Sequence, residues 1–309
     1  MILVVIPAIG LALVSLAAFL GRWVWWLDVL ANFRAQYVVG LLALGVLLMV
    51  GKWRRTGLAV LLVAVVNLVL VLPLYVGTPG ESEVTAPSMR VMSFNLLSSN
   101  ESYAEVLEYI EAIDPEIAFL HEASRPWEVA AEAADHDYQV IRARSDDLIF
   151  GTLVLVRGEE VTAVSYGFAT AQPRAVAVTF RPRGWAEPVK VLSTHPLAPT
   201  DQARAGLRDA QLRFAGDWAE DQEGAFIVVG DFNATPWSWP FRDLMGRTEL
   251  RNSQIGYGLQ PSFPVDSSVL FRVPIDHLLH SEALIVRDRR LGPALGSDHF
   301  PLVVDLELR

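Results

Sequence analysis

The chain contains no cysteine. That excludes disulfides and removes thiolate from any metal site. It fits an oxidising compartment, though only loosely. Charge is scarce at one end: residues 1–79 hold five basic residues, Arg22, Arg34, Lys52, Arg54 and Arg55, and one acid, Asp28. Basic runs are missing from the remainder. Of the 25 Lys and Arg and 35 Asp and Glu, 20 basic and 34 acidic residues fall in 80–309, a net charge near −14 for that part. Such an excess repels polyanions unless a local basic patch or a metal offsets it. A groove that tracks DNA is therefore disfavoured. No short repeat and no low-complexity tract interrupts the sequence.

Apolar residues are abundant instead: 52% of the chain is hydrophobic, and the mean hydropathy is +0.33. The excess is concentrated near the start. Ile2–Leu20 is long enough to cross a bilayer. Tyr37–Val50 is shorter and crosses only if it starts near Ala35 and ends near Trp53. Gly57–Val76 is a third candidate span, with Asn67 as a helix-packing residue. Between the first two lies RWVWWLDVLANFR at 22–34, whose tryptophans and arginines suit a headgroup region. A signal peptide fits residues 1–20 poorly, because no basic segment precedes the apolar run and two more apolar runs follow. Lys52, Arg54 and Arg55 lie between spans two and three. The positive-inside rule puts that loop in the cytoplasm and everything after Val76 outside it; Arg22 and Arg34, flanking an outer loop, weigh against this. The expected organisation is transmembrane helices at 1–76, a Gly- and Pro-punctuated linker at 77–88, and a large domain at 89–309.

In that domain, strands are expected at Met89–Asn95, Glu116–Glu122, Tyr138–Ala143, Ile149–Val156, Ala175–Arg181, Val189–Thr194, Ala225–Gly230, Val273–His280 and Leu302–Leu308. Ser102 and Glu105 have capping-box spacing ahead of an apolar helical face of Val106, Leu107, Ile110 and Ile113 that Pro115 ends. Thr200–Glu220 reads as a helix with Ala203, Leu207, Ala210, Leu212 and Phe214 toward the core. Mixed helices and strands, with several strands in succession mid-chain, suit an α/β sandwich of two sheets flanked by helices.

Five phrases at strand ends carry the chemistry: FNLL (94–97), FLHEAS (119–124), STHP (193–196), GDFNATP (230–236) and GSDHFP (296–301). If these ends meet, Asn95, Glu122, His195, Asp231, Asn233, Asp298 and His299 share one cleft. Hard oxygen ligands without thiol suit Mg²⁺ or Mn²⁺ rather than Zn²⁺. Imidazoles beside such a metal suit hydrolysis of a phosphate ester or anhydride. Singly, each residue has an ordinary alternative: Asn95 a turn, Glu122 a surface acid, GDFNATP a plain loop, His299 a structural histidine. Jointly, those alternatives require repeated coincidence. Alternation along the strands turns His121 and His277 away from their motif neighbours, and His136 and His280 carry no motif.

Residues 89–309 resemble the endonuclease/exonuclease/phosphatase superfamily. The motifs come in the family's order: Asn95, Glu122, Thr194–His195, Asp231 with Asn233, Ile275–Asp276, and Ser297–Asp298–His299. The resemblance implies a four-layer, DNase I-like sandwich and a Mg²⁺- or Mn²⁺-dependent hydrolase. It implies Glu122 as the principal metal ligand, helped by Asn95 and Asp298. Asp231 would orient or deprotonate water, and Asn233 would donate to the phosphate. His299, oriented by Asp276, would contact phosphate or act as base, and His195 would stabilise the transition state or protonate the leaving group. Spans followed by this domain resemble bacterial membrane phosphatases of the glycopeptide-resistance type, which implies a polyprenyl pyrophosphate substrate outside the cytoplasm. Trp237, Trp239 and Phe241 are candidates for an apolar lip at the site, with core packing as the alternative. The expected partners are the bilayer and a phosphorylated lipid, ahead of nucleic acid. Other readings remain open: a membrane-anchored nuclease, a sphingomyelinase-like phosphodiesterase, and a catalytically silent binding module.

Overall fold

A computed structural model describes residues 2–77, 87–143, 150–168 and 175–309. Most of the expected linker, and Ile149 at the start of one expected strand, lie outside these residues. The N-terminal helices are α1 (Ile2–Ala17), α2 (Trp25–Ala31), α3 (Arg34–Val50) and α4 (Arg54–Val71). Two helical stretches, Leu3–Arg22 and Arg54–Leu74, are long and apolar enough to cross a membrane. Helices α2 and α3 together also qualify but are bent by 67° at their junction. Arg34, at the start of α3, donates to Ser15 O (2.8 Å) and to Asn67 Oδ1 (3.0 Å), and Asn67 donates to Ser15 Oγ (2.7 Å). These bonds gather the end of α1, the start of α3 and the end of α4. The Lys52–Arg55 turn therefore sits at the opposite end of the bundle.

The larger part is a sandwich of two six-stranded sheets. Its elements are β1 (Ser88–Asn95), α5 (Tyr103–Ile113), β2 (Ile117–Ser124), α6 (Arg125–Ala133), β3 (Gln139–Ala143), β4 (Phe150–Val156), β5 (Glu159–Tyr166), β6 (Ala175–Arg181), β7 (Val189–Ser193), α7 (Gln202–Glu220), β8 (Phe226–Asp231), α8 (Trp239–Arg247), β9 (Arg251–Asn252), β10 (Asp276–His280), β11 (Leu284–Leu291) and β12 (Leu302–Leu308). Strand order is β11-β12-β1-β2-β4-β3 in one sheet and β5-β6-β7-β8-β10-β9 in the other. Each sheet has one parallel pair at its centre, β1–β2 and β7–β8. The inner faces meet through Val91, Phe119, Val154, Val178, Val191 and Ile227. Helices α5 and α6 cover the outer face of the first sheet, and α7 and α8 cover that of the second. This is the four-layer α/β sandwich expected from the sequence.

Several local expectations need correction. Ser102 precedes α5 but makes no side-chain cap bond, and Asp114 closes the helix in a left-handed conformation (φ 50°) one residue before Pro115. The buried face of α7 is Ala205, Arg208, Gln211, Leu212, Ala215, Gly216 and Ala219. Of the expected core contacts only Leu212 is fully buried, because polar partners decide the face: Gln211 donates to Thr194 Oγ1 (2.8 Å) and Arg208 to Asp28 (2.8 Å). The expected strand at Val273–His280 begins only at Asp276. Strand β5 was not anticipated; it is an edge strand with no buried residue, so it shows no alternation.

The N-terminal helices are joined to the sandwich by a polar seam. Asp28 of α2 pairs with Arg208 and accepts from the Trp239 amide. Asn32 Oδ1 accepts from Thr235 Oγ1 (3.0 Å) and Ser238 Oγ (2.7 Å). Trp237 Nε1 donates to Leu70 O (2.9 Å), and its ring packs with Val71 and Leu74. Phe241 is buried in the core beneath α7 and α8, and Trp239 stacks under Arg22 (4.9 Å). The three aromatics therefore form no lip at the site. They serve the core and the seam.

Candidate active site

The site follows from strand alternation. On β1, Val91, Ser93 and Asn95 share the inner face; on β8, Ile227, Val229 and Asp231 do. Parallel β1–β2 and β7–β8 bring their C-terminal ends to one edge of the sandwich. Antiparallel β10 starts there, with Asp276 paired to Asp231. Antiparallel β12 starts there as well, so Ser297, Asp298 and His299 arrive beside the end of β1. Ser297 Oγ fixes that approach by donating to Asn95 O (2.7 Å).

Glu122 breaks the alternation. Strict alternation would put His121 inside and Glu122 outside. The β2–β4 register breaks between Leu120 and Ala123, and Glu122 adopts φ 56°. That bulge turns its carboxylate into the cleft. His121 stays on the inner face and is fully buried, 3.4 Å from both Ser93 Oγ and Ser193 Oγ. His277 faces outward against Phe232 and Phe241.

A cavity of about 240 Å³ is lined by Asn95, Glu122, His195, Asp231, Asn233, Asp298 and His299. Asp276 stands behind His299, 2.9 Å from its Nδ1. All eight residues singled out from the sequence thus gather at one place. Asn95 Nδ2 donates to Glu122 Oε1 (3.2 Å) and Asp231 Oδ2 (3.1 Å). His195 lies 3.4 Å from Glu122 and 3.5 Å from Asp231, and His299 Nε2 lies 3.7 Å from Asp231. Asn233, at φ 48°, donates through its amide N–H to Asp231 Oδ1 (2.8 Å) and through Nδ2 to Pro196 O (3.0 Å). Gly230, at φ 144°, is required: a Cβ there would lie 2.0 Å from Thr194 O. Sequence reasoning missed Leu197, Ala198, Arg204 and Phe263, which also line the cavity. None stands at a strand end; adjacency to STHP was the one available signal, for Leu197 and Ala198.

The electrostatics are tightly coupled. Burial opposes charge on His299, yet the Asp276 and Asp231 carboxylates outweigh it and push the imidazolium up to about 9. Burial would raise Glu122, but the hydrogen bond and charge of His195, with the Ser98 amide and Asn95, bring it down to about 2. Burial raises Asp231, and the Asp276 charge adds to that. Four carboxylates thus crowd two imidazoles, and Asp276 Oδ1 is buried without a hydrogen-bond partner. One oxygen or nitrogen each of Asp231, Asp276 and His299 lie within 4.8 Å of one another. The excess of carboxylate oxygen fits a hard divalent cation. Within the trio, His299 and Asp276 pair through Nδ1 and Oδ2, while Glu122 and Asp298 line the same cavity and add further carboxylate oxygens. Asn95 presents Nδ2 rather than Oδ1 to Glu122 and Asp231, so ligation beside those carboxylates requires the carboxamide to turn.

The sequence profile of the Endonuclease/Exonuclease/phosphatase family matches residues 92–299, most of the chain and every residue of the cavity, and the protein belongs to that family. Its members act on phosphate esters, so the fold is that of a phosphoester hydrolase. No curated protein sequence matches the chain. Solved structures with the same fold include D. rerio TDP2 complexed with single strand DNA product, at 14% identity and TM-score 0.59, covering 71% of this chain and 99% of that one. The human Nocturnin catalytic domain with bound sulfate anion is 20% identical with TM-score 0.55, covering 72% and 96%. An endonuclease/exonuclease/phosphatase from Bacteroides vulgatus is 17% identical with TM-score 0.58, covering 72% and 100%.

Proposed function

We propose that the protein is a divalent-metal-dependent phosphohydrolase of a membrane surface, cleaving a lipid-linked phosphate or pyrophosphate such as a polyprenyl pyrophosphate. The observation that carries this reading is the seam. The turn bearing Asn233 is held, through Arg208, by Asp28 of the apolar N-terminal part: Arg208 donates to Asn233 O (3.3 Å) and to Asp28 (2.8 Å). The short helix α2 thus supports the loop through Arg208, and the span-length helix Arg54–Leu74 holds Trp237 just beyond it. In this reading residues 1–76 anchor the chain, 77–88 link, and 89–309 catalyse. The Lys52–Arg55 turn lies at the far end of the bundle, so the positive-inside rule supports a sandwich on the extracytoplasmic side.

Mg²⁺ or Mn²⁺ held by Glu122, Asp298 and a turned Asn95 would neutralise the phosphoryl oxygens. Asp231, its pKa raised by burial, is suited to orient water and accept its proton. His299, kept charged by Asp276, is suited to bind the phosphate. His195, also raised once Glu122 and Asp231 outweigh its burial, is suited to protonate the leaving oxygen. Arg204 at the rim adds a cation for the same phosphate. Purified full-length protein with Mg²⁺, assayed in parallel on polyprenyl pyrophosphate, sphingomyelin and plasmid DNA, tests this. Release of phosphate from the first is expected; faster nicking of the plasmid would replace this reading with a nuclease.

A further inference from the structure

Val269, Leu270 and Phe271 form one short turn and are 58%, 58% and 67% exposed. Elsewhere among the described residues of the sandwich, the exposed large hydrophobics stand singly, at Val129, Val164, Ile255 and Leu308. An apolar triplet pointing into water is costly unless something covers it. The loop that carries it is braced. Phe263 and Val273 close its base through paired backbone bonds of 3.1 and 2.6 Å. Arg272 donates to Val265 O (2.7 Å) and Ser267 O (2.9 Å), and its guanidinium lies 4.8 Å over the Phe300 ring.

The level of this tip is fixed by the helices. Gln36, in the first turn of α3, donates to Arg272 O (2.9 Å), one residue from Phe271. The same end of the bundle carries Trp23 and Trp26, 71% and 54% exposed, beside Arg22. Tryptophan and arginine mark the boundary between headgroups and acyl chains. The base of the loop is the active site: Phe263 lines the cavity 4.8 Å from the His299 ring, and the Val265 amide donates to Asp298 O (2.8 Å). We propose that loop 264–272 is a lipid-seated wedge. Its apolar tip enters the headgroup–acyl boundary of the bilayer that holds the N-terminal helices, and its base presents the cavity to phosphate groups at that surface. The inference rests on the membrane reading above, and it adds a second attachment, carried by a loop of the sandwich, that acts on the site.

The cysteine-free chain permits a direct test. Leu270→Cys carries a polarity-sensitive fluorophore in full-length protein in phosphatidylcholine–phosphatidylglycerol nanodiscs. Val129→Cys on α6 serves as the water-exposed reference and Val46→Cys on α3 as the membrane reference. Spin-labelled lipid with its nitroxide near the headgroups should quench the Leu270 label several-fold more than the Val129 label. A Leu270 label as water-like as that at Val129, with Val46 still quenched by deep nitroxides, overturns the wedge and leaves the anchor standing. An unquenched Val46 label overturns the anchor and the wedge together. None of these readings needs a substrate. In a second measurement, the Val269→Ser, Leu270→Ser, Phe271→Ser variant should raise the KM for lipid phosphate in vesicles several-fold and leave hydrolysis of a water-soluble phosphate ester unchanged. An unaltered KM for the vesicle substrate counts against the proposal.

Discussion

The two parts of this chain are built inside out with respect to each other. In the N-terminal bundle the exposed residues along the helices are mostly apolar, with Leu3 and Val50 more than four-fifths exposed, while Ser15, Arg34 and Asn67 are buried against one another. In the sandwich the interior is Val, Leu, Ile and Phe, and polar groups enter it mainly at one edge, where the catalytic set collects. In lipid a helix bundle would gain nothing by hiding leucine, and polar pairs such as these would hold it together. A sandwich in water gains most by hiding leucine, so a buried polar cluster there reports function. The same observation, a buried polar group, thus carries opposite meanings in the two halves.

The largest effect should come from breaking the polar cluster of the sandwich. Glu122→Gln should lower metal-dependent turnover by roughly 10³-fold; the purified protein should stay folded, with an unfolding temperature somewhat below wild type because the carboxylate that His195 holds ionised is lost. Full turnover in EDTA would refute the metal assignment. Asp28→Ala attacks the seam between the halves. It leaves the buried Arg208 with Asp209 as its one acidic partner, at a cost of about 3 kcal/mol. Unfolding in detergent with an unchanged midpoint would mean that the halves are only loosely joined.

Acid separates the halves next. Burial, the largest influence, holds His121 down to about 3 and His277 down to about 4. Both are neutral in the folded sandwich and charge on unfolding below 6.5. Their contribution is therefore complete above pH 6.5 and is lost progressively as pH falls toward the folded values. Each should remove about 1 kcal/mol between pH 6.5 and 5.5, and His277→Gln should flatten that slope in a pH series of thermal unfolding. The smallest effect belongs to the bundle: Asn67→Leu removes the side-chain acceptor of Arg34 and should destabilise by about 1–2 kcal/mol. Unfolding in a dodecyl sulfate titration checks this, with phosphate hydrolysis retained.

Much of this was legible from residue order alone. Strands β1, β2, β7 and β8 stand out as apolar runs, and the candidate site residues sit where those runs stop. What stayed hidden depends on partners distant in the chain. Arg208 and Gln211 face inward because Asp28 and Thr194 are there to meet them, which no helical periodicity encodes. The entry of Glu122 into the cleft depends on a bulge against β4, so a strict period of two points it the wrong way. Trp237 follows the GDFNATP motif in sequence, which makes it a candidate for the mouth of the site; its neighbours in space are Val71 and Leu74.

The left-handed backbone at Glu122 has an evolutionary corollary. A branched-free acid at φ 56° sits about 1 kcal/mol or more above what glycine would there. A lineage that kept only a scaffold could relieve that strain with glycine, but would lose the hydrogen bonds from Asn95 Nδ2 and the Ser98 amide and the contact with His195 that hold the carboxylate ionised. Glu160 in β5 has the same left-handed backbone (φ 55°) but is exposed, whereas Glu122 turns its carboxylate into the cavity. A strained backbone that aims a carboxylate into the cavity weighs against the silent binding module.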